Sequence, residues 1–133
     1  MATATKQSKT TRSKSDFGQL FGQMYSFNNS LKLFHWHVTG AGSYAQHMAL
    51  DQALDDLADC LDRIVETTYA MKGDQHVVIP QTETPKDIVN HCKTFFDYMD
   101  QQRDMFKEDF STAIIDDYQE AIQQLLYRLE RLR

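Results

Sequence analysis

Between Gly42 and Gly73 the chain runs for thirty residues without a glycine or a proline. So long an unbroken stretch predicts one helix over 43–72, because the two residues that most often end a helix are missing from it. Ser43, following Gly40-Ala41-Gly42, is the expected N-cap. Ahead of that break Phe17, Leu20, Phe21, Met24, Leu31 and Val38 recur at steps of three and four, which predicts a helix over 16–38. After it, GDQHVVIPQTET, residues 73–84, reads as a loop with a few extended residues around Val77 to Ile79. Thr84-Pro85 offers a cap and a first-turn proline for a third helix to about 109. Asp109 or Ser111 then caps a fourth through Ile114, Tyr118, Ile122, Leu125, Leu129 and Leu132. No strand pattern of useful length appears, so the expected fold is an all-α four-helix bundle over 16–133.

The 133 residues suffice for one core. No apolar run approaches the roughly 20 residues of a membrane span, and the N-terminus has no apolar signal core, so a soluble, cytoplasmic protein is expected. Cys60 and Cys92 are too few and too far apart for a disulfide framework and are read as reduced, buried residues. Charge is uneven. Residues 1–15 hold Lys6, Lys9, Arg12 and Lys14 and no acid, which leaves ten bases against nineteen acids, or −9, for the rest. The arm is expected to be disordered; it suits DNA as an anionic partner or serves as a solubilising tail.

Three of the five histidines crowd around the only tryptophan in FHWHVTGAGSYAQHMALD, residues 34–51. On the long helix His47 and Asp51 stand four apart, as do Asp62 and Glu66, so each pair shares one face. Asp51 and Asp62 are eleven residues apart, which puts the pairs on nearly the same side but about 16 Å apart along the axis. One metal cannot bridge them within a chain. Two copies packed antiparallel about a two-fold axis near Asp56 and Leu57 would bring His47 and Asp51 of one to Asp62 and Glu66 of the other. His35 can join His47 across the short turn. His37 lies about 200° round the helix from His35 and reads as a surface or packing residue. His76 and His91 have no comparable partners, and Phe34 and Trp36 are most simply core aromatics. Against this stands the ordinary reading of charged pairs on a helix as a solvated face.

The pattern His35-Trp36, Gly40, His47-x3-Asp51 and Asp62-x3-Glu66 resembles that of the miniferritins called Dps, DNA-binding proteins from starved cells. The resemblance is specific over residues 31–66; the last two helices match only in pattern. It implies a ferritin-like bundle, up-down-down-up, with a crossover between the second and third helices. It also implies a ferroxidase centre shared across a dimer, with His35, His47 and Asp51 from one chain and Asp62 and Glu66 from the other. Fe(II) would be the substrate, hydrogen peroxide or dioxygen the oxidant, and a hollow dodecamer the iron store, protecting DNA from oxidative damage. Bound to DNA, such a protein would be nucleoid-associated. Three departures stand out. Residues 73–84 leave no room for the short helix that the family carries there, His37 replaces a frequent asparagine, and a C-terminal DNA-binding tail is not expected. Two other classes fit the same residues: a non-enzymatic DNA-compacting protein using the arm alone, and a bundle holding zinc or manganese.

Overall fold

The computed structural model describes residues 16–132. The basic arm, with Lys6, Lys9, Arg12 and Lys14, lies outside the described residues. Four α-helices follow one another: α1 Phe17–His37, α2 Ser43–Lys72, α3 Ile88–Gln102 and α4 Asp109–Arg131, with a 3-10 turn at Arg103–Met105 after α3. No strand occurs among the described residues, so the fold is all-α. Nor is any helix among them long and apolar enough to cross a membrane.

Local chemistry explains where the helices start, and in three places it differs from the sequence expectation. Asp16 caps α1 through a reciprocal box: its carboxylate accepts the Gln19 backbone N–H at 2.7 Å, and the Gln19 side chain accepts the Asp16 N–H. At α2 the expected cap, Ser43, is instead the first helical residue. The cap is Gly42, whose left-handed backbone (φ 78°) folds the chain back without the penalty a side chain would bring. α3 begins not at Thr84-Pro85 but after Asp87, which accepts the Asn90 N–H at 3.1 Å. The delay follows from Thr82, whose hydroxyl pairs with Ser26 on α1 at 2.7 Å and keeps the chain extended there. α3 also ends at Gln102, short of 109. Arg103 is drawn into the 3-10 turn by Gln119 and Asp116 of α4, and Phe106 beyond it is buried. α4 is capped at Glu108, without a side-chain bond; Ser111, a candidate cap, is fully buried in the first turn instead.

The core is a stripe from each helix, with Leu20, Met24 and Leu31 of α1, Leu50, Leu57 and Ile64 of α2, Met99 of α3 and Ile115, Tyr118 and Ile122 of α4 all at zero exposure. Contact is most extensive between α2 and α4. Tyr118 carries the one phenol wholly inside, and burial raises its pKa further above the ordinary value than any other cause. It stays a donor, to Asn28 Oδ1 at 2.9 Å.

From Gly73 to Asp87 the connection forms a strap along α1. Gly18 and Gly22, one turn apart, let the backbone carbonyls of His76 and Val78 lie directly on the helix; a Cβ at either position would fall well inside contact distance of those oxygens. Gly22→Ala, and separately Gly18→Ala, should therefore lower the urea midpoint. The cost of overpacking, roughly 1–3 kcal/mol, exceeds the gain in helix propensity of about 1 kcal/mol. A midpoint equal to or above wild type would contradict the backbone contact.

Candidate metal centre

His35 lies in the last turn of α1 and His47 in the second turn of α2. The Gly40–Gly42 turn is short enough to bring their rings together, tilted by 33° with centroids 3.6 Å apart. Asp51, one helical turn beyond His47, completes the group. Its Oδ1 is 2.8 Å from His35 Nε2 and its Oδ2 is 4.0 Å from His47 Nε2. One donor atom from each of the three residues lies within 4.8 Å of the other two. Ligands at 2.0–2.2 Å from a common ion stand up to roughly 4 Å apart, so these three residues could hold a small divalent cation once their side chains draw in around it.

Two further properties fit a cation. His35 is 6% exposed, and neither ring nitrogen has a hydrogen-bond partner. The 2.8 Å approach to Asp51 has the length of a hydrogen bond without its direction. An unpaired buried polar group costs roughly 1–3 kcal/mol, which a shared ion would offset. The pKa of His35 is also lowered: burial dominates, the Asp51 carboxylate opposes it, and His47 and Lys32 add to the lowering. His35 is thus neutral at pH 7, as a metal ligand must be.

Asp62 and Glu66 are exposed and do not belong to this group. An open cleft of about 360 Å³ between α1 and α2 joins the two regions, lined by Asn28 and Lys32 on one wall and by Asp51, Asp55 and Asp62 on the other. The sequence did not mark Asn28 or Lys32. α1 also carries Gln19, Gln23, Ser26, Asn29 and Ser30, so nothing in the sequence sets these two apart.

The remaining candidates have other settings. Trp36 is 65% exposed, not a core residue as expected, because the buried positions on either side of its turn are Leu31 and His35; Phe34 does pack partly against the core. His37 and His76 are exposed. His91, to which no partner was assigned, has two. Ser30 donates its only proton to the Phe27 carbonyl at 2.6 Å and so accepts from His91 Nε2 at 2.7 Å, while the imidazole stacks on Phe27. This histidine is structural, and burial lowers its pKa. Cys60 and Cys92 are free and buried, as expected.

Fold and centre together define an all-α protein with a two-histidine, one-carboxylate donor set. The chain belongs to a family of unknown function, DUF5856, whose model matches residues 35–129, a span that contains His35, His47, Asp51, Asp62 and Glu66. No curated protein and no solved structure shows significant similarity to it.

Both lowered histidines couple stability to pH in one direction. Above about pH 6.5 they are neutral folded and unfolded; below it the unfolded chain takes up protons that the folded chain still refuses, so stability falls as pH drops toward the folded values. The urea midpoint should hold from pH 8 to 7 and fall between 6.5 and 5, and His91→Gln should shed part of that fall. A His91→Gln profile parallel to wild type would show that His91 does not contribute.

Proposed function

We propose that this chain is a Dps-like ferroxidase and iron-storage protein, oxidising Fe(II) at a centre built from two chains. The observation that carries the reading is the convergence of His35, His47 and Asp51, with the buried His35 nitrogens lacking a directed hydrogen bond, beside a cleft that Asp51 and Asp62 both line. The helix registers support a ferritin-like topology. Along α1 and α2, His35 meets Asp51, and Phe21 shares a cleft with Val65. Along α2 and α4, Gln46 meets Leu132 and Arg63 meets Asp117. Along α1 and α3, Ser30 meets His91 and Phe17 meets Phe106 just past the helix end; along α3 and α4, Lys93 meets Glu130 and Arg103, just past the end of α3, meets Asp116. In each pair one number rises as the other falls. The order consistent with this is up-down-down-up, with the strap as the crossover.

In this reading Fe(II) is the substrate. His35 and His47 offer imidazole nitrogens, and Asp51 offers a carboxylate. Asp62 and Glu66 of the partner subunit supply hard oxygen donors, which favour Fe(III) over Fe(II) and so favour oxidation. Each peroxide takes one electron from each of two Fe(II) and two protons, giving two Fe(III) and two waters; dioxygen is the other candidate oxidant. The product is stored in a closed oligomer, a dodecamer by the resemblance, and DNA is protected as Fe(II) and peroxide are removed together. Binding of DNA through the arm belongs to the same proposal. The two-fold axis falls at the level of Asp56 and Leu57, but Leu57 is fully buried in its own chain, so Asp55 and Ala58 are the residues that face outward there. Zinc or manganese is the second reading, favoured by the same donor set, which suits both ions.

Fe(II) oxidation should outpace buffer, and Asp62→Ala or Glu66→Ala should return it to the buffer rate with helix content unchanged, since both residues are exposed. Two inactive variants, His47→Ala/Asp51→Ala and Asp62→Ala/Glu66→Ala, unfolded and refolded together, should recover about a quarter of the sites, because half the dimers are mixed and each restores one site of two. Wild-type oxidation at the buffer rate with tight Zn(II) or Mn(II) binding would favour the second reading. No recovery after verified co-refolding would reject the two-chain centre.

A further inference from the structure

The outward face of α2 carries Met48, Asp51, Asp55, Ala58, Asp62 and Val65 at steps of three, four, three, four and three. That spacing reads the same from either end, so an antiparallel copy of α2 can meet it residue for residue. The register is fixed by one requirement, that Asp51 face the partner subunit's Asp62. It then sets Asp55 opposite the partner's Ala58 and Met48 opposite the partner's Val65, with no position left over.

Met48 is 49% exposed. Beside Val65 lies a largely apolar cleft of about 310 Å³, lined by Phe21, Tyr25, Leu61, Val77 and Ile79 and edged by Asp62 and Glu66. Its rim residues Tyr25 and Ile79 are each 48% exposed. We propose that this cleft is the docking site for Met48 of a second copy of this chain, so that each dimer has two such contacts flanking its two centres. The flexible thioether suits a cleft formed from a helix and a strap, because an unbranched side chain adapts to an irregular wall. Charge is complementary at the axis as well. Lys32 stands across the same cleft from Asp55 and makes no ion pair among the described residues, so a Lys32 from each chain offsets the two Asp55 carboxylates brought together there. The register rests on the two-chain centre proposed above; the apolar contact adds a partner surface that needs no metal chemistry.

The test is thiol cross-linking of Met48→Cys/Val65→Cys, without added iron, by mild oxidation and by a short bis-maleimide. The native thiols do not compete: burial pushes Cys60 up to about 11 and Cys92 up to about 12. The double variant should run as a covalent dimer. Each single variant should not, because two copies of residue 48 lie about 25 Å apart along the axis in this register, as do two of residue 65. Met48→Lys should weaken the wild-type dimer by about 10- to 100-fold for each contact, read by sedimentation. A double variant that stays monomeric on a denaturing gel, or single variants that cross-link equally well, would overturn the register. The two readings fail separately: cross-linking without Fe(II) oxidation leaves this surface standing and removes the ferroxidase, and oxidation without cross-linking does the reverse.

Discussion

Everything in this molecule depends on α2 having two faces that make opposite demands. One face, with Leu50, Ala53, Leu57, Leu61 and Ile64, packs against the other helices and is closed to water. The other carries five acidic residues between Asp51 and Asp62 and a few small or apolar ones. A helix of thirty residues is about 45 Å long, so it can span the bundle on its inner face and present separate chemical stations along its outer one. The inner face alone would give a stable rod. The outer face costs stability, because like carboxylates repel, and α1 and the strap temper it: Lys32 supplies a cation, and Phe21 with Val77 and Ile79 covers apolar surface at the far end.

The fold was legible where its cause is periodic and local. Residues 16–38 and 43–72 were bounded to within one residue, because an apolar stripe and the positions of Gly42 and Gly73 decide those helices by themselves. What was not legible came from contacts distant in sequence. Thr84-Pro85 has the right chemistry for a helix start, yet Thr82 is tied to Ser26, fifty-six residues away, and Asp87 takes the cap. Gly18 and Gly22 carry no sign of their role in the sequence; they are the groove that seats the strap, which lies more than fifty residues further along the chain.

The centre follows the same division. His47 and Asp51 could be read from one helical turn, and His35 from the shortness of the glycine turn. Trp36 could not, because whether an aromatic beside a buried histidine faces in or out depends on the last turn of α1, where His35 takes the inward position. His91 was set aside for want of partners in sequence, and its partner Ser30 is sixty-one residues away. Asn28 and Lys32 reach the cleft only because α1 crosses α2 where it does.

On the two-chain reading, metal and assembly are linked. Three donors from one chain or two from the other make an incomplete site, and a cation that binds the joined site more tightly than either half must favour the dimer by the same free energy. The outward carboxylates sharpen this coupling, since the repulsion they bring to the interface is the term a shared divalent cation removes. The apolar contact acts against such complete dependence. If Met48 fills the Val65 cleft, the two chains are aligned before any metal arrives, and the half-sites face each other ready to receive it. Pre-alignment of this kind tightens binding without adding a ligand, because the cost of bringing the two halves together is then met by packing. The strap that Gly18 and Gly22 hold against α1 builds one wall of that cleft, so on the same reading a backbone contact at the end of α1 opposite His35 bears on how readily the centre closes.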